Sequence, residues 1–165
     1  MTAGEIRYAI ADDVCVIQME GRLTHTLGIS FGLFIDKLFD NCTVRDVVVD
    51  LAQAVYMDST ILGLLGKLAN EAHRHLQRKV TVAAPCENIR HLLSNIGFDD
   101  VFLIINDRIQ LAADQREIPV VEKPGSAQAS MVRDAHKILM DMNDANAIRF
   151  RNVVEMLDQE INARK

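Results

Sequence analysis

DVVVDLAQAVYMDSTILGLLG, residues 46–66, is the stretch that decides how this chain folds. Its first six residues, DVVVDL, are apolar on successive positions, which suits a strand in the middle of a sheet and covered on both faces. After a short linker, Asp58-Ser59-Thr60 precede Leu62, Leu65, Leu68 or Ala69, Ala72 and Leu76. These form one stripe of a helix running from about Ser59 to Gln77, with Lys67, Asn70, Glu71 and Arg74 on its outer face. A buried strand feeding an amphipathic helix predicts an α/β domain.

Working outward, IRYAI (6–10) alternates apolar and polar, and VCVIQME (14–20) is a second extended run after Asp12-Asp13, so the spacing predicts an opening hairpin that Gly21 ends. Leu27, Phe31, Phe34, Ile35 and Leu38 recur at helical spacing, with Thr24 or Thr26 placed to cap the first turn. Beyond the central unit, KVTVAAP (79–85) reads as a strand stopped by Pro85. Ile89, Leu92, Leu93 and Ile96 mark a helix that Gly97 ends. VFLII (101–105) is a short strand, and a last helix is expected from Asp107 to about Gln115. The whole predicts a mixed sheet of about four to five strands with about four helices over residues 1–117.

Residues 118–130 hold two of the three prolines, a glycine and small polar residues, a linker composition. Residues 131–165 contain neither proline nor glycine. Met131, Ala135, Ile138, Met142 and Ala145 are out of phase with Phe150, Val153, Val154, Leu157 and Ile161. That pattern predicts a helical extension, either two segments broken near Asn143 to Asn146 or one long helix whose apolar face shifts there.

The formal charge of −5, with no cluster of four or more basic residues, argues against a nucleic-acid or anionic-membrane surface. No run of about 18 apolar residues and no N-terminal targeting segment is seen, so a soluble, cytoplasmic protein is expected. Cys15, Cys42 and Cys86 are widely spaced and odd in number, which provides neither a disulfide framework nor paired zinc knuckles. They read as structural thiols. His73 and His75, two apart on a helix, diverge by about 200° around its axis and are badly placed for one metal. No metal and no cofactor is expected.

The junction at Asp58-Ser59-Thr60 admits three chemistries. As a nucleophile Ser59 would need a positioned base, an oxyanion site and usually a Gly-x-Ser-x-Gly elbow, and neither flanking glycine is there. As a cap, Asp58 or Ser59 would accept from the free N–H groups of the first turn, worth about 1 kcal/mol. As a phosphate acceptor Ser59 would place about −1.5 to −2 charge at the positive end of the helix dipole, where the helix tolerates it, while a partner fitted to the neutral serine would be repelled.

VIQMEGRL (16–23), DVVVDLAQAVYMDSTILGLLG (46–66) and IRHLLSNIGFDDVFLI (89–104) together resemble the STAS family, in particular the bacterial anti-sigma factor antagonists, in matching order over roughly residues 5–115. The resemblance implies a STAS-like mixed sheet and a non-enzymatic binding protein. It also implies that Ser59, directly after Asp58, is phosphorylated by a partner that is both anti-sigma factor and serine kinase. A metal-dependent serine phosphatase, free or fused to a response regulator, would reset it. Thr60 takes the variable hydroxyl position and Gly63 the motif's second glycine, while Ile61 stands where the family usually has glycine. In the turn after the second strand, Gly21 and Leu23 match, and Arg22 and Thr24 replace two acids. Asp58, Thr60, Ile61, Gly63, Arg22 and Thr24 are therefore the expected partner-binding residues. The extension is expected to pack on the domain, to form a homodimer through its helices, or to dock a regulator. A non-switching scaffold of the same fold, stressosome-like or part of a lipid-transport complex, is the alternative.

Overall fold

Asp12 and Asp13 both adopt positive φ, 53° and 65°, as a two-residue hairpin requires, and aspartate tolerates that conformation better than most residues. They join β1 (Glu5–Ala11) to β2 (Val14–Leu23) as an antiparallel pair in continuous register from Glu5↔Glu20 to Ala11↔Val14. This is a computed structural model, which describes residues 3–40, 43–110 and 114–164.

A short 3-10 turn, His25–Leu27, leads into α1 (Gly28–Asp40). Then come β3 (Asp46–Asp50), β4 (Ala54–Met57), α2 (Ser59–Leu76), β5 (Thr81–Ala83) and α3 (Glu87–Asn95). β6 (Leu103–Ile105), β7 (Arg116–Glu117), α4 (Gly125–Met142) and α5 (Asp144–Ala163) complete the chain. Among the described residues the sheet has seven strands in the order β6-β5-β3-β2-β1-β7, with β4 also paired to β2. The hairpin and the β1–β7 pair are antiparallel and the other pairs parallel, so the sheet is mixed, as expected. The strands beyond the expected four to five are β4 and β7, too short to carry a period that sequence can show.

β3 lies between β2 and β5, the central place its apolar run predicts. Val47 and Val49 are buried to 1% and 0% exposure, while Asp50 ends the strand by accepting from Ala52 N–H at 2.9 Å. The core is aliphatic with a few phenylalanines: Ile17 and Met19 from β2, Phe31 and Ile35 from α1, and Ile61, Leu65 and Leu68 from α2. α1 and α2 pack side by side and α4 lies across them, with α5 against α4, so the extension forms an outer layer continuous with the core.

Three local expectations are corrected. Gly21 does not end β2: β2 leaves β3 after Gln18, and Gly21, at φ 74°, already pairs with Ala54 of β4, with an irregularity in that pairing between Gly21 and Arg22. Thr24 precedes the 3-10 turn without a side-chain cap bond, its hydroxyl lying 3.0 Å from that of Thr26. The helix expected from Asp107 to Gln115 is not formed at residues 107–110 or 114–115, and residues 111–113 lie outside the described residues. A stretch this short does not repay helix nucleation by propensity alone. Cys42 also lies outside the described residues. α4 begins at Gly125, inside the stretch of linker composition, and the helices separate at Asn143, whose side chain caps α5 by accepting from Asn146 N–H at 2.8 Å.

Candidate functional site

Asp58 is extended, φ −83° and ψ 172°, and sits as N-cap of α2. Its Oδ1 accepts from Ile61 N–H at 2.9 Å, the bond expected of a cap. Its Oδ2 accepts from His25 N–H at 2.7 Å, and His25 Nδ1 lies 3.6 Å from the same oxygen. Its own N–H donates to Leu23 O at 3.1 Å. Asp58 thus ties the start of α2 to the end of β2, and both carboxylate oxygens are engaged. The opposite end of α2 has His73, Arg74 and His75 in its last turn, favourable for the helix dipole.

Ser59 is the first residue of α2 and half-buried. Its Oγ lies 2.7 Å from Nε2 of His136 on α4. The other ring nitrogen, Nδ1, lies 2.7 Å from the Val132 carbonyl, which can only accept. Nδ1 therefore carries a proton, and in the neutral ring Nε2 accepts from the Ser59 hydroxyl. His136 is 3% exposed and stacks edge-on against Phe150 of α5, ring centroids 5.4 Å apart. A serine, a base and a group orienting the base recur in hydrolases, but here the orienting group is a neutral carbonyl, without the carboxylate that stabilises an imidazolium. The groove beside the pair, lined by His25, Gln128, Val132 and Glu160 among others, does not include Ser59 or His136 in its lining.

The remaining expected residues divide. Arg22 and Thr24 flank Leu23, which pairs in register with Met57 at the rim where α2 starts, so they share one edge with Asp58 and Ser59. The Arg22 guanidinium lies over the Tyr56 ring, 4.4 Å from its centroid. Thr60 and Ile61 are buried at 3% and 0% exposure, because the helical period that sends Leu65 and Leu68 into the core carries Ile61 with them. A partner reaches these two only through the packing of the first turn. Gly63 faces α4, where a Cβ would overlap the backbone of Ala135. His136 was not legible as a site residue in the sequence; its only signal is its place between Val132 and Leu139 in a helical stripe.

Among the described residues no group of three or more His, Cys, Asp or Glu side chains is arranged to hold a metal. No helix among them is long and apolar enough to cross a membrane. Cys15 is buried, which pushes its thiol pKa up to about 12, whereas Cys86 is exposed.

A family model described as the STAS domain matches residues 5–112, leaving the α4–α5 hairpin outside the match. Solved structures share the fold. The Thermotoga maritima protein TM1081 is 21% identical, covering 59% of this chain and 82% of its own at a TM-score of 0.52. SpoIIAA of Bacillus, an anti-sigma factor antagonist solved in unphosphorylated and phosphorylated forms, is 16% identical in the former, covering 64% of this chain and 89% of its own, TM-score 0.52. An anti-sigma factor antagonist from Mycobacterium paratuberculosis is 17% identical, covering 62% and 85%, TM-score 0.52. No curated protein sequence matches the chain.

Proposed function

The chain belongs to the STAS domain family, and from that premise we propose that it is an anti-sigma factor antagonist, a binding protein switched by phosphate on Ser59. The observation that carries this reading is the position of Ser59 at the start of α2, directly after a capping Asp58, where the family motif has its phosphorylated serine. The helix dipole at that end of α2 tolerates the charge of a phosphate, so α2 itself need not unwind. Both Asp58 oxygens are already engaged, so a phosphate on Ser59 adds its charge next to that carboxylate as well as to the His136 ring, and a partner fitted to the neutral serine meets repulsion and desolvation.

The unphosphorylated protein captures an anti-sigma factor that is also a serine kinase and so frees a sigma factor. The kinase supplies the nucleotide and phosphorylates Ser59, which ends the contact. A metal-dependent serine phosphatase restores the hydroxyl. The contacting rim comprises Asp58, Ser59, Arg22 and Thr24, with Thr60, Ile61 and Gly63 shaping it from beneath. The protein itself catalyses nothing and acts in the cytoplasm. Its STAS domain is residues 1–117, joined through 118–130 to the extension.

The test compares kinase binding by wild type, Ser59→Ala and Ser59→Glu, with intact-mass analysis of protein taken from cells. Wild type and Ser59→Ala bind and Ser59→Glu does not; equal binding by all three removes the switch. The burial of Ile61 and the cover over Ser59 favour the second reading, a non-switching scaffold subunit, in which a transporter ATPase or an assembly of like domains is recovered in place of a kinase. A second copy would pair through the outer face of α5, where Ile148 and Met156 are 71% and 68% exposed.

A further inference from the structure

The serine that the switch reading needs at the surface is covered by the chain's own extension. Ser59, Gly63 and Gly66, spaced i, i+4 and i+7, share one face of α2, and α4 is seated on that face. A Cβ at Gly63 would overlap Ala135, and one at Gly66 would stand 2.9 Å from Cγ2 of Ile138. His136, one residue beyond Ala135, closes over Ser59 with its 2.7 Å hydrogen bond. We propose that the α4–α5 hairpin and the partner kinase compete for this one surface: the hairpin is an intramolecular clasp that lifts for Ser59 to be phosphorylated, and phosphate on Ser59 keeps it lifted. The kinase half rests on the function proposed above; the opening by phosphate does not.

Phosphorylation replaces the hydroxyl proton with a phosphorus and three oxygens, placed where Nε2 of a 3% exposed ring now sits. In the closed seam that group displaces the Ser59–His136 hydrogen bond, and its charge meets Asp58 from one side. The seam also holds polar atoms that gain by re-exposure. Asn146 is 0% exposed and its Oδ1 has no partner, as has Oε1 of Gln128. The amides of Asn143 and Asn146 both donate to the single carbonyl of Ile96, at 3.3 and 2.9 Å. Opening returns these groups to water, whereas separating a wholly apolar seam would not.

The hairpin is fastened to itself and is able to move as one body. Arg133 of α4 reaches Asp158 of α5 at 3.4 Å, His136 packs on Phe150, and Asn143 caps α5. Between the two-residue β7 and α4, the chain is tethered by Ile118 N–H to Ile6 O at 3.2 Å and Val121 N–H to Ser30 Oγ at 2.9 Å.

The test uses the full chain with phosphoserine incorporated at position 59, followed by hydrogen–deuterium exchange resolved by peptide. Amides of α4 should exchange at least tenfold faster than in the unmodified chain, with β2 and β3 unchanged as the control for folding. Unchanged or increased protection of α4, the result if His136 instead bound the phosphate, overturns the clasp. In a second arm Leu139→Ala, which loosens α4 from the core without touching the Ser59 rim, should be phosphorylated by the Ser59-dependent kinase at least fivefold faster than wild type; an equal or slower rate overturns the competition. Opening of α4 by phosphoserine in a chain on which no kinase acts upholds the clasp and removes the switch reading instead.

Discussion

Removing the Asp58 carboxylate tests whether one side chain joins the rim of the sheet to the start of α2. Asp58→Ala deletes the cap on Ile61 N–H, at 2.9 Å, and the bond from His25 N–H, at 2.7 Å. The cap is worth about 1 kcal/mol. A bond to a charged acceptor is worth about 1.5–3 kcal/mol when buried, but His25 is exposed and water replaces the lost acceptor, so about 1 kcal/mol is appropriate. The expected cost is about 2 kcal/mol, or a fall of about 4–8 °C in Tm for a chain of this length. Asp58→Asn keeps an oxygen for the cap and loses the charge facing His25, so it should cost about half as much. Urea unfolding followed by circular dichroism measures both, with a lower midpoint at unchanged slope. A cost below about 0.5 kcal/mol for Asp58→Ala, or equal costs for the two variants, would refute the two-bond account.

Leu139→Ala, at a 0% exposed position of α4, should cost about 2–5 kcal/mol because it opens a cavity between hairpin and core, and a cost under about 1 kcal/mol on denaturation would show that the site is not packed as described. Gly32→Ala should stabilise by about 0.5–1 kcal/mol, since an added Cβ in α1 meets ordinary contact at 3.7 Å from Leu64; a lower melting point refutes it. At pH 8 a thiol reagent should label Cys86 at once and Cys15 only on unfolding, which peptide mass mapping distinguishes. Because the folded Cys15 pKa is raised from 9.0 to about 12, its contribution to stability is full below pH about 9 and is lost as pH rises toward 12. Denaturation between pH 8 and 10.5 should therefore show a decline that is absent in Cys15→Ala.

Where a segment's own period or end signal governs its structure, the residues were readable in order. The apolar run 46–51 became the central strand, Asp58 became the cap, and the helix expected from Ser59 to about Gln77 is α2, ending at Leu76. The phase change near Asn143 became the break between α4 and α5, because an amphipathic face that rotates out of register cannot stay on one surface. The helix expected after Asp107 is not formed at residues 107–110 or 114–115, because propensity alone does not hold so short a helix. At the junction the sequence picked out Ser59 and Asp58 but assigned Ile61 to a surface, although its phase with Leu65 and Leu68 already pointed inward.

The STAS class, the order of elements from β1 to β6 apart from β4, and the place of Ser59 at a capped helix start were legible in the sequence, since each depends on contacts a few residues apart or on a local motif. Only the tertiary structure decided what covers that serine. His136 is 77 residues away along the chain, and its approach depends on Gly63 and Gly66 leaving room for Ala135 and Ile138. No local pattern encodes such a meeting, because it is set by the packing of one helix face on another.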